Sequence, residues 1–167
     1  LGLDDATLIG GPAVMIEGKL SDLRIPDAVI VDETGANGRL AKPAAAPGER
    51  ATPLKVGDVL ELNEKRALVV GIARAQKTFQ SQPIIYTTYT RAKVYANSER
   101  KMLTYILVKA KDNEPRETIA RRITQNTRLA AWTAEEFKKK SLDYMIYNTS
   151  IIINFGFVVL VGFVIGA

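Results

Sequence analysis

Leu103-Thr104-Tyr105-Ile106-Leu107-Val108-Lys109-Ala110, then Glu114-Pro115 and a polar stretch carrying Ile119, Ala120 and Ile123, then Leu129-Ala130-Ala131-Trp132: the fold turns on this passage. The first run alternates and is rich in residues that suit a pleated, half-buried surface, so it predicts a strand. Pro115 at a first-turn position opens a helix, because the N–H it lacks would be unpaired there in any case. Ile119 and Ile123, with Ala120, give that helix its apolar stripe. Leu129–Trp132 reads as a second short strand. Strand, helix and strand together make a β-α-β unit.

Downstream, Thr133 is followed three residues later by Glu136. That spacing is a capping box, in which each side chain satisfies a free backbone donor of the other residue. It starts a helix at Ala134, with Phe137, Tyr144 and Met145 on its inner face. No Gly or Pro falls between Ala134 and Phe155, so the helix is expected to run unbroken, through Ser141, into the apolar residues beyond. Ile151 to Ala167 are 17 residues without a charge. At the helical rise they cover roughly 26 Å, just short of the hydrocarbon thickness of a bilayer. The stretch is read as the start of a transmembrane helix, cut short, within an excerpt of a longer protein. Tyr144 and Tyr147 stand where interfacial aromatics collect. Gly162 and Gly166 form a small-xxx-small pair that would let another helix pack closely. The alternative, a buried core helix, is disfavoured by the glycines and by the lack of any polar face.

Upstream, Pro83–Thr88 is a strand candidate, and Thr90 could cap a short helix through Tyr95. Lys55–Leu62 and Arg66–Ala73 flank the polar turn Asn63-Glu64-Lys65 and predict a hairpin. Val59, Glu61 and Leu62 break strict alternation and leave its register open. Residues 34 to 53, punctuated by Gly35, Gly38, Pro43, Pro47, Gly48 and Pro53, read as a loop. Ala28–Asp32 and Ala13–Gly18 are two further strands, the former buried.

The composition excludes several chemistries. The 167 residues contain no Cys and no His, which removes disulfides, the usual Cys/His zinc sites, thiol nucleophiles and Ser-His-Asp triads. No phosphate-cradling Gly-x-x-x-x-Gly-Lys loop occurs, and Gly35-Ala36-Asn37-Gly38 is too isolated for a dinucleotide fingerprint. Asp32 and Glu33 are adjacent, so on a strand they face opposite ways and cannot act as a pair. The net charge of +5 is scattered; Arg121-Arg122 and Lys138-Lys139-Lys140 read as solvated helix faces, and no nucleic-acid stripe is present. Asn148-Thr149-Ser150 is a formal glycosylation sequon of little weight beside the apolar run. No cofactor, metal or catalytic constellation is expected.

The order of these pieces resembles the periplasmic domain of the MacB/LolC/FtsX class of ABC transporter permeases. The matching stretches are Ala28–Glu33, Leu54–Leu62 with Val69–Ile72, Tyr105–Lys109, the helix around Ile119 and Ile123, and Trp132–Phe137. The phrase Gln82–Tyr89, followed by Glu99-Arg100-Lys101, is most similar to the DevC subgroup. The resemblance implies an α+β, two-lobed periplasmic domain running into a transmembrane helix. Residues 1–19 would end the first part of an α/β lobe and 20–100 would form a β-rich lobe. Residues 101–133 would complete the α/β lobe, 134–150 would be a stalk helix and 151–167 the membrane helix. It further implies a non-catalytic permease subunit in the bacterial inner membrane, with a cytoplasmic ATP-binding subunit and a second permease as homodimer or pseudo-dimer partner. Membrane lipid, a membrane-fusion protein and an outer-membrane channel are the other expected partners. The cargo would be a lipid, glycolipid or similar substrate. Lys138–Lys140 beside the apolar run argue for the opposite, cytoplasmic, side. The competing reading is a membrane-anchored ligand-binding or sensor ectodomain without an ATPase.

Overall fold

The computed structural model describes residues 1–44, 46, 48–75, 82–97, 103–111, 113–148 and 151–166. The chain divides into two compact units, Leu1–Leu107 and Val108–Ala167.

The first unit is a mixed α/β structure around one sheet. Its strands are β1 (Gly2–Leu3), β2 (Val14–Glu17), β3 (Ala28–Asp32), β4 (Val59–Leu62), β5 (Lys65–Arg74) and β6 (Ile85–Thr88). The order is β1-β6-β3-β5-β2, with β4 also paired to β5. β3 lies parallel to one edge of β5, while β4 and β2 share the other edge in antiparallel fashion at its two ends. All five residues of β3 are buried, as expected of a central strand covered on both faces. Leu3, Leu8, Leu23, Ile30 and Tyr86 pack on one face; Val29, Val31, Leu54 and Val69 pack on the other.

The predicted hairpin forms, and its turn holds two residues rather than three. Leu62 pairs with Lys65, and Asn63 and Glu64 both take positive φ, 52° and 62°. Two such residues make the turn whose twist matches the flanking strands. The hairpin register left open by the sequence is regular, from Val59–Leu68 to Leu62–Lys65; the irregularity lies where β5 pairs with β3. Val29 faces Val69, but Ile30 faces Gly71, so Val70 is an extra residue in the ladder. The bulge inverts the side-chain phase: Ala67 and Val69 share a cluster with Ile72, whereas Val70 shares the other with Ala73. Gly71 and Gly18 sit where β2 crosses this bulge. A Cβ on Gly71 would lie 2.9 Å from the Glu17 carbonyl oxygen, and one on Gly18 would lie 2.9 Å from Gly71 Cα.

Part of the expected 34–53 loop is ordered. Asp32 caps a single helical turn, α1 (Glu33–Asn37), by accepting from Gly35 N–H. Lys42 and Thr52 form an isolated antiparallel bridge, and Leu54 is buried beyond it. The short helix α2 (Tyr89–Tyr95) forms where predicted, but Thr88, not Thr90, is its N-cap residue. The Thr90 backbone N–H and hydroxyl instead donate to the Asp5 carboxylate, at 3.2 and 3.1 Å.

The described residues of the second unit form three helices: α3 (Arg116–Thr127), α4 (Ala134–Asn148) and α5 (Ile151–Gly166). α3 is the predicted helix, with Pro115 at its N-cap. The two strands expected on either side of it are absent among the described residues. Leu103–Ala110 takes up neither strand nor helix, and Leu103, Ile106, Leu107 and Val108 are exposed. A strand needs a hydrogen-bonded neighbour, and periodicity alone cannot supply one. Leu129–Trp132 fails for a local reason. The N–H groups of Leu129 and Ala131 donate to the hydroxyls of Thr127 and Thr124 on α3, so these donors are spent within the loop.

Candidate functional site

The helix α4 begins as its sequence requires. Glu136 N–H donates to Thr133 Oγ1 at 3.2 Å, and Thr133 N–H donates to Glu136 Oε2 at 2.9 Å. Thr133 is buried in this reciprocal pair. Next to the cap, the rings of Trp132 and Phe137 lie 6.4 Å apart, and the Lys140 ammonium stands 5.4 Å from the Trp132 ring. The helix start is thus fixed by hydrogen bonds, an aromatic pair and a cation–π contact. Beyond it α4 buries nothing: Ser141, Tyr144 and Tyr147 are exposed, and Phe137 and Met145 do not form a buried inner face.

Whether α4 continues into α5 falls on residues 149–150, outside the described set, as do the end of the sequon and Glu99-Arg100-Lys101. α5 is a 16-residue helix of roughly 24 Å. Among the described residues no helix is long and apolar enough to cross a membrane. Phe155, Phe157, Phe163 and Ile165 of α5 are nonetheless exposed, Phe163 at 78% and Ile165 at 80%. Gly162 and Gly166 have open space around them, with no atom within 4 Å of where a Cβ would lie. They meet no partner among the described residues.

A second place of interest lies at one end of the sheet and was not singled out from sequence. β3 and β5 run parallel, β6 runs opposite to β3, and β1 runs with β6. The starts of β3 and β5 therefore meet the ends of β1 and β6. This brings Asp5, Asp27, Lys65, Arg66, Thr88 and, from α2, Thr90, Arg91 and Tyr95 around an open groove of about 520 Å³. Arg91 is its anchor. The guanidinium donates to the carbonyls of Leu23 (3.1 Å), Ala28 (2.9 Å) and Ile25 (3.0 Å). Tyr95 shares its hydroxyl proton between the carbonyls of Arg66 and Asp27, at 2.9 and 3.2 Å. Burial first, and the Asp27 charge second, raise the Tyr95 pKa above its ordinary value. Arg66 pairs with Asp27 at 3.1 Å. The signals that could have found this site are dispersed, since Arg91 is held by main-chain carbonyls far away in sequence. Among the described residues no cluster of acidic side chains is placed to hold a metal ion.

A family model for the MacB-like periplasmic core domain matches residues 5–126, and the chain belongs to that family. Membership makes it part of an ABC-type permease, with an ATP-binding partner and with this domain in the periplasm. No curated protein and no solved structure matches the chain.

Proposed function

We propose that the chain is the periplasmic domain of a permease subunit that converts cytoplasmic ATP hydrolysis into movement on the periplasmic side, for export of a lipid, glycolipid or similar substrate. In this reading the permease lies in the bacterial inner membrane and catalyses no reaction itself. Residues 134–150 act as the stalk, and the apolar residues from 151 onward enter the membrane as the second transmembrane helix. The observation that carries the proposal is the family match over residues 5–126, followed directly by a helix with a capped, braced start. A lever needs a fixed end, and the Thr133–Glu136 box with the Trp132–Phe137 pair supplies one. The apolar exposure of α5 supports the membrane assignment, because so large an apolar surface is costly in water. The Gln82–Tyr89 phrase supports placement near the DevC subgroup. That placement brings a second permease, a membrane-fusion protein and an outer-membrane channel as partners.

The chain has no cysteine, so Ser141→Cys gives a single thiol in this segment. In the intact permease with its ATP-binding partner, a membrane-impermeant maleimide added from the periplasm should label it. The labelling rate should change when ATP is hydrolysed. Labelling only from the cytoplasm would refute the orientation, and a rate indifferent to ATP would refute the coupling.

A further inference from the structure

The groove at the sheet end carries more positive charge than its carboxylates answer. Its lining has three cations, Lys65, Arg66 and Arg91, and two carboxylates, Asp5 and Asp27. Asp27 is occupied by Arg66, and Asp5 accepts the backbone N–H and hydroxyl of Thr90. Arg91 is satisfied by carbonyls and one hydroxyl, at 3.4 Å from Thr87. Those neutral acceptors saturate its donors and leave its charge in place. Lys65 makes no ion pair within the described residues. Lys65 and Arg91 therefore border one concavity without an ion-pair partner among the described residues, against one carboxylate, Asp5, that is likewise bonded only to neutral groups, so the lining carries one net positive charge. Positive charge gathered in a concave wall concentrates anions, and charged donors bind oxyanions more strongly than neutral ones do. Val94 and the Tyr95 ring add an apolar wall. The volume of about 520 Å³ lies in the range of small-ligand sites.

We propose that this groove binds a small ligand bearing a phosphate or carboxylate group, held by Lys65 with Arg91 as the fixed charge behind it. The site is independent of the stalk and of the transport reading. The ligand's oxyanion can come from a free anion or from a polar headgroup, and the test separates the two.

The full chain in neutral detergent micelles is titrated with sodium phosphate, sodium acetate and glycerol 3-phosphate at constant ionic strength, with chloride as the balancing salt. Backbone amide shifts are followed by NMR. A saturable, millimolar response confined to the amides of residues 65–66 and 88–91 is expected. Glycerol 3-phosphate binding about tenfold tighter than inorganic phosphate would assign a headgroup; equal affinity would assign a free anion. Lys65→Glu should weaken phosphate binding by about tenfold or more, and Lys65→Gln by less. Both variants should keep the wild-type melting temperature, because Lys65 is exposed and has no ion pair to lose. Three results would overturn the proposal. They are no saturation with any of the three anions, equal shifts at Lys138–Lys140 and at the groove, and unaltered phosphate binding in a folded Lys65→Glu variant.

Discussion

In the sheet unit, β3 buries all five of its residues; in the helical unit, α3 and α4 bury none. The sheet unit has two apolar clusters, one on each face, and a buried polar residue, Asp32, that is fully employed. The helical unit has a well-made cap and exposed apolar side chains. Helices of this length are marginal without tertiary packing, so the two units should differ sharply in how firmly they are held. The sheet supports itself. The helices depend on what surrounds them.

The largest expected effect tests the sheet. Asp32 accepts from Gly35 N–H at 3.1 Å and from Ile84 N–H at 2.7 Å, tying β3, α1 and the entry to β6 together. Asp32→Ala strands both donors at about 1–3 kcal/mol each, so urea unfolding of the sheet unit should lose about 2–6 kcal/mol. A loss below 1 kcal/mol, on the order of a surface change, would mean that water replaces the carboxylate and that the junction is not buried. Next comes Gly18→Ala. Gly18 has a φ of +73°, and an added Cβ would press on the main chain of β5 at the bulge. A cost of about 2 kcal/mol is expected, with the native register of β2 lost. Thr133→Ala should cost α4 about 1 kcal/mol. That loss should appear as faster amide exchange in the first turn of α4, with the sheet unit unchanged; a matching loss in the sheet would break the distinction between the two units.

The smallest effect is in pH. Burial first, then the charge of Asp32, raises the Tyr86 pKa above its ordinary 10.0, and Tyr95 is raised as well. For a group whose folded pKa is raised, the contribution is complete below the unfolded value and is lost as pH climbs through the folded one. The sheet unit should therefore lose stability above about pH 10. Tyr86→Phe should flatten part of that decline, and an unchanged alkaline limb would contradict the assignment.

What could be read in advance followed contiguity. β3 was legible because its buried residues are consecutive, and the hairpin because its strands are neighbours in sequence. The Thr133–Glu136 cap was legible because both halves lie within one turn. The Val70 bulge was hidden because it depends on the pairing with β3. Asp32 was half legible: its neighbour Glu33 faces elsewhere and lies near Arg74, at 3.5 Å, but Ile84 is 52 residues away. The groove was invisible because Arg91 is placed by carbonyls from residues 23–28, which carry no side-chain signature. The two strands expected around α3 do not form among the described residues, because alternation describes a surface suited to a sheet and does not by itself set a ladder of backbone hydrogen bonds.

The proposal that α4 transmits force is tested most directly by Ser141→Pro in the intact permease with its ATP-binding partner. Ser141 lies exposed in the middle of α4, so the substitution removes one helical hydrogen bond and costs the helix about 3 kcal/mol without touching the sheet. ATP binding should persist and transport should fall to background, while Ser141→Ala transports as the wild type does. Wild-type transport by the proline variant would contradict mechanical coupling through this helix.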